Sequence, residues 1–292
     1  MDIEEGYLNI LSLRIYYKFY RTHSRMNLMV LHGGPGASHD YLIPLAELNN
    51  YNINVLFYDQ FGSGRSDDPM NINDYTIEHG VEEAEEVRKQ IFNDDKIVLL
   101  GHSYGGMLAL AYALKYQDNL IGLIISNGLS SIPYTLQEMR RLIEELPERY
   151  RLAIKRYGEM GDYEHPDYVE AVQYWIRQHV IRMDNLPEPV RISFDYASKR
   201  RTYRIMNGPN EFTITGTIKD WDVTDQLWRI RVPTLIITGK YDEVTPNVAE
   251  LMHRNIKNSR LIMFENSSHM PMWEEKEKYL DTVKNFVYEI YK

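Results

Sequence analysis

Cysteine is missing from all 292 residues. That excludes a disulfide framework, thiolate zinc sites, iron–sulfur clusters and a cysteine nucleophile. Positive charge is in deficit: Lys and Arg total 33 against 42 Asp and Glu, a net of −9. A chain this acidic is poorly suited to nonspecific binding of nucleic acid or an anionic membrane. Long apolar runs are lacking too; stretches such as Met107 to Leu114 fall far short of the ~18 residues a membrane span needs. The opening Met1-Asp2-Ile3-Glu4-Glu5 is acidic where a secretory signal is basic and then apolar. No His-Glu-x-x-His or similar ligand spacing occurs, so no metal and no cofactor is expected. What remains is an ordinary globular composition, 43% hydrophobic and 26% charged, and the expectation of a cytoplasmic protein.

Short apolar runs rich in β-branched residues recur along the chain. Asn27 to His32, Ile53 to Tyr58, Ile97 to Gly101, Gly122 to Ser126, Thr234 to Gly239 and Leu261 to Phe264 read as strands. Several are apolar at nearly every position, as parallel strands buried on both faces are. Helical patterns lie between them, over Asp74 to Phe92, Tyr104 to Gln117, Asn247 to Lys257 and Trp273 to Tyr291. This alternation predicts an α/β fold with a mostly parallel sheet flanked by helices. Tyr7 to Tyr20 reads as an antiparallel hairpin at the sheet edge.

The rhythm breaks between about Leu129 and Lys219, where helical segments follow one another. Prolines 133, 147, 166, 187 and 189 fall near their starts, where a missing amide proton costs least. The expectation is a core formed by residues 1–128 and 220–292, with a helical cap over 129–219 inserted between two strands. The clusters Arg140-Arg141 and Lys199-Arg200-Arg201 read as solvated helix faces.

Gly101-His102-Ser103-Tyr104-Gly105 fits G-x-S-x-G between a buried strand and an apolar helix. In that setting the serine sits on a strained strand-to-helix turn, its hydroxyl exposed above the sheet. A serine nucleophile needs a base, and the base an orienting acid. Asp242 follows one downstream strand and His269 follows the next. Ser103, Asp242 and His269 thus come in the order this fold uses, with acid and base one crossover apart. His32-Gly33-Gly34-Pro35-Gly36 follows a strand as well, and its glycines force amide protons inward. Such a loop gives one N–H to an oxyanion and the residue after the nucleophile, Tyr104, gives another. Asp59-Gln60-Phe61-Gly62-x-Gly64 lacks the third glycine of a dinucleotide fingerprint and reads as a structural loop under the site.

Together with Gly208-Pro209-Asn210-Glu211-Phe212 and Asp242-Glu243, these motifs resemble the proline iminopeptidase family of α/β hydrolases, over nearly the full chain. The likeness is to its archaeal branch, the tricorn-interacting aminopeptidases. The resemblance implies a triad of Ser103, Asp242 and His269, and oxyanion donors at Gly34 and Tyr104. It also implies that Glu211 and Glu243 hold the substrate's free amino terminus. Short peptides would be the substrates and a tricorn protease a partner. His102 and Tyr104 stand where many members have Gly and Trp, and Phe61 where an Arg is common. These departures leave open an aminopeptidase acting on several small or apolar first residues. An esterase or acyltransferase with the same triad, and a non-catalytic binding protein on this scaffold, are the rival readings.

Overall fold

The computed structural model describes residues 2–93 and 95–292; Met1, part of the acidic opening, lies outside them. Eight strands form one sheet in the order β1-β2-β4-β3-β5-β6-β7-β8. They are β1 (Asp2–Ile10), β2 (Leu13–Arg21), β3 (Met26–Leu31), β4 (Ile53–Tyr58), β5 (Ile97–His102), β6 (Leu120–Ser126), β7 (Thr234–Gly239) and β8 (Ser259–Phe264). β1 pairs antiparallel with β2, and β2 antiparallel with β4; every other pairing is parallel. β4, β5 and β7 are buried at every position, which is why their sequences are apolar runs and not alternations.

The period of two still decides which face each side chain serves. Met29, Leu31, Leu56, Leu99 and Ile125 point into one core layer, with α1 (Ile77–Phe92), α2 (Tyr104–Tyr116) and α8 (Pro246–Asn255). Leu28, Val30, Phe57, Leu100 and Ile124 enter the other layer, under α10 (Lys276–Ile290) and a 3₁₀ stretch over His39–Tyr51. The result is a doubly covered, mostly parallel sheet, as the alternation predicts.

Between β6 and β7 the chain forms α3 (Ile132–Glu145), α4 (Glu148–Met160), α5 (Pro166–Trp175), α6 (Glu188–Lys199) and α7 (Arg201–Met206). Pro133, Pro166 and Pro189 occupy first-turn positions, and Pro147 and Pro187 the caps just before α4 and α6.

Several boundaries differ from the sequence reading. The hairpin is longer than Tyr7 to Tyr20, and it turns at Leu11 and Ser12, both at positive φ, without the Asn-Gly signal usual there. The helical pattern ending at Tyr291 splits into α9 (Pro271–Glu274) and α10. In Lys199-Arg200-Arg201 the first and last side chains are exposed, as a solvated face requires, but Arg200 is partly buried. Arg200 donates to the Asp68 carboxylate and to the carbonyls of Gly64 and Ser66. Arg201 donates to Tyr75 and to the Pro69 carbonyl. An extended Arg200 separates α6 from α7 and lets both guanidinium groups reach the loop after β4. Arg141 is ion-paired with Glu138 and Glu145 along its own helix.

Candidate active site

Parallel strands deliver their carboxyl ends to one edge of a sheet, and loops leaving that edge meet. Here β3 delivers Gly33 and Gly34, β5 delivers Ser103, β7 delivers Asp242 and Glu243, and β8 delivers His269. Ser103, His269, Glu243, Glu211 and Gly34 line one cavity of about 360 Å³.

Ser103 sits between β5 and α2 with φ 57° and ψ −124°, a conformation non-glycine residues rarely adopt. Its neighbours leave no alternative to glycine. A Cβ on Gly101 would lie 2.0 Å from the Gly105 carbonyl oxygen, and one on Gly105 would lie 2.3 Å from that of Leu31. Packing of the turn against β3 thus holds the serine at the mouth of the helix, whose amino end favours negative charge.

Asp242 is buried and fully engaged. Its Oδ1 accepts from His269 Nδ1 at 2.7 Å and from the Val244 amide at 2.9 Å. Its Oδ2 accepts from Asn127 Nδ2 at 2.6 Å. With Nδ1–H of His269 committed to Asp242, Nε2 is the basic nitrogen. Burial works against a charged imidazole, yet the Asp242 carboxylate and its hydrogen bond, with Glu243 and Glu211 beyond, hold the ring up at about 9. Ser103 and His269 face the same cavity with no hydrogen bond between them among the described residues; serine–histidine contacts are often long before substrate arrives.

Gly34 has φ +118° and follows Gly33, where a Cβ would come within 2.8 Å of Ser103 Cβ. The Gly33-Gly34 turn therefore runs directly beside the serine. Among the described residues, the amides of Gly34 and Tyr104 donate to no backbone carbonyl, as expected at a helix start for Tyr104.

The two glutamates come from different places. Glu243 adjoins Asp242 at the end of β7, and its Oε2 accepts from Trp175 Nε1 at 2.8 Å. Glu211 lies in the loop after α7 and accepts from the Tyr203 hydroxyl. Among the described residues neither forms an ion pair with Lys or Arg. Burial pushes Glu243 up to about 8 against the pull of His269, and the charge of Glu211 adds to the rise. Burial raises Glu211 too, while its Tyr203 bond opposes this. Two costly carboxylates thus share a cavity with His269 but, among the described residues, with no Lys or Arg.

The chain matches the α/β hydrolase fold family over residues 27–276. It is 66% identical to a proline iminopeptidase of Saccharolobus solfataricus, an alignment covering all of this chain and 94% of that one. It belongs to the proline iminopeptidase family. A proline iminopeptidase of Thermoplasma volcanium is 56% identical, over 97% of this chain and 96% of its own. Among solved structures, the proline iminopeptidase of Mycobacterium smegmatis superposes with a TM-score of 0.93 at 29% identity, covering 98% of each chain. The crystal structure of VinJ gives 0.94 at 31%, covering 98% of this chain and 99% of that one.

In this iminopeptidase-family chain, all seven residues singled out from sequence gather at one edge of the sheet. Asp59 and Gln60 lie outside the cavity lining: Asp59 pairs with His39 at 2.7 Å, and Gln60 binds His32 by main chain and side chain. Sequence reasoning missed Asn127, Trp175 and Tyr203. Asn127 carried one usable signal, an Asn-Gly pair directly after a buried strand, and it has φ 51°. Trp175 ends a helix that also carries Tyr168 and Tyr174, and Tyr203 sits in a six-residue helix too short to show a period, so nothing in the sequence marks either ring.

Proposed function

We propose that this chain is a serine aminopeptidase that releases amino-terminal residues, proline among them, from short peptides through an acyl-enzyme. In this reading Ser103 Oγ attacks the scissile carbonyl. His269 Nε2 takes the serine proton and returns it to the leaving amine, while Asp242 holds the tautomer. The amides of Gly34 and Tyr104 receive the oxyanion, an interaction typically worth about 3–4 kcal/mol per donor. Water then enters by the same base and releases the first residue.

The observation that carries this reading is the pair Glu211 and Glu243. A buried Glu243 and a half-buried Glu211 with no Lys or Arg beside them are more carboxylate than His269 alone balances, and expensive to ionise together unless a ligand brings a cation. A protonated α-amine supplies that charge, and pinning it leaves only the bond one residue inward within reach of Ser103. Residues 129–219 act as the cap: Val172, Trp175, Ile176 and Phe194 wall the cavity and favour short, unstructured chains. The enzyme works in the cytoplasm on peptides that a larger protease of the tricorn type supplies; no helix among the described residues is long and apolar enough to cross a membrane.

The test compares a proline arylamide, its N-acetyl form and a nitrophenyl ester. The free amine should be cleaved and the acetylated form should not. Equal turnover of blocked and free arylamides would refute the aminopeptidase reading and favour an esterase. Failure of a fluorophosphonate to label Ser103 would favour a non-catalytic protein.

A further inference from the structure

The side chain preceding the nucleophile has no part in the reaction just described, yet it is buried and doubly bonded. His102 Nε2 lies 2.8 Å from the main-chain oxygen of His269, and its Nδ1 lies 2.7 Å from the Tyr41 hydroxyl. That hydroxyl in turn is 2.7 Å from the Gly33 amide nitrogen. The donors can be assigned without ambiguity. A carbonyl only accepts, so His102 carries its proton on Nε2 and its Nδ1 must accept. An amide N–H only donates, so Tyr41 accepts from Gly33 and gives its own proton to His102. The chain runs Gly33 N–H to Tyr41 O–H to His102 Nδ1, then His102 Nε2–H to His269 C=O.

Each end is part of the proposed machinery. Gly33 begins the turn that presents the Gly34 amide, and His269 is the base. The middle member, His102, is bonded covalently to Ser103. Both side chains are almost wholly buried, at 4% exposure for Tyr41 and 1% for His102. The Tyr41 main chain is fixed as well, its carbonyl accepting from Trp273 Nε1 at 2.7 Å. Burial drives His102 well below its ordinary range, so its neutral tautomer persists.

We propose that Tyr41 and His102 are positioning residues, a neutral hydrogen-bonded strut that sets the oxyanion turn and the His269 backbone at fixed distances from Ser103. The proposal rests on the aminopeptidase reading above. Its effect belongs to the transition state. A loosened strut misplaces the donor that meets the oxyanion and the ring that moves the proton, while the amine-anchoring glutamates stay where they are. Misplacement on the scale of 1 Å costs up to about 100-fold in rate.

The experiment uses Tyr41→Phe, His102→Phe and His102→Gln on a proline arylamide. Tyr41→Phe and His102→Phe should lower kcat about 10–100-fold with KM within about threefold. His102→Gln, which both accepts and donates, should recover a large part of the loss. In the two Phe variants the inhibition constant of prolinal, an aldehyde whose adduct with Ser103 bears the oxyanion, should rise by the factor that kcat/KM falls. That of free proline should not move. Unchanged kcat in both Phe variants overturns the strut, as do proline and prolinal affinities weakening together. If wild type leaves the arylamide uncut, the aminopeptidase reading fails instead. The strut is then judged by fluorophosphonate labelling of Ser103, which must slow in Tyr41→Phe for it to stand.

Discussion

Glu243→Gln separates what the carboxylate does for the fold from what it does for substrate. Glutamine keeps the shape and can still accept from Trp175, which now donates to Oε2 at 2.8 Å. Only the charge goes. In the free protein that charge is a burden: burial moves the group from an ordinary 4.5 to about 8. Since one pKa unit is about 1.4 kcal/mol, the penalty for ionising this group in place is on the order of a few kcal/mol. The sign follows from linkage. A carboxyl whose folded pKa is raised binds its proton more tightly when folded, so stability is lost as pH climbs from 4.5 through about 8. Glu243→Gln removes that loss, and its thermal midpoint should exceed wild type at pH 8 to 9 and converge with it near pH 5. Activity should move oppositely. Removing one partner of a desolvated charge pair costs about 2–5 kcal/mol. Hence kcat/KM for a free-amine arylamide should fall at least about 30-fold, and hydrolysis of a nitrophenyl ester within about threefold of wild type. Thermal melts from pH 5 to 9 and steady-state kinetics on both substrates check the two halves. A variant that melts lower than wild type at pH 8, or loses ester and arylamide activity equally, refutes the reasoning.

The pH dependence of wild type should be displaced as well: His269, held at about 9, must lose its proton to act as base, so kcat/KM should climb well above pH 6.5. A bound ammonium offsets the nearby carboxylates, so the acid limb of kcat should lie at lower pH than that of kcat/KM; coincident limbs near 6.5 would contradict this. His269 also contributes stability that is complete below pH 6.5 and lost as pH rises through about 9, visible as a falling midpoint that His269→Ala should flatten. Asn127→Gly removes the 2.6 Å bond to Asp242 Oδ2 without straining the positive φ; kcat should drop about 10–100-fold with little change in KM, in keeping with ~1.5–3 kcal/mol for a bond to a charged group. Gly105→Ala should express as unfolded or aggregated protein, because its Cβ meets the rigid Leu31 main chain at 2.3 Å; a wild-type melt would show that the turn can relax.

The sheet was legible because its evidence is periodic and repeated. β4 and β7 carry the predicted bounds, and the other parallel strands differ from theirs by one or two residues at an end. Motif order was legible for a related reason: a glycine-flanked serine, an acid and a histidine each follow a strand, and parallel pairing carries them to one edge. Glu211 was different. It sits in an irregular loop whose path is set by hydrogen bonds across the loop itself, the Asn207 side-chain amide reaching the Asn210 carbonyl and the Thr215 amide the Asn207 carbonyl. No periodicity encodes that, so only the family resemblance pointed to it. Arg200 misled because a Lys-Arg-Arg run resembles a solvated face, while the break between α6 and α7 that turns this one side chain toward the loop after β4 is a single extended residue. Tyr41 lies in a 13-residue 3₁₀ stretch, for which the chain offers no hydrophobic period to follow.

The support of Asp242 reaches well beyond the sheet edge. Its partner Asn127 is oriented by the Ser126 hydroxyl, and Ser126 is bonded by Tyr279 of α10. The packing of a helix on the far side of the core is thereby coupled to the orientation of one buried carboxylate, and whatever loosens that helix slackens the grip on the His269 ring.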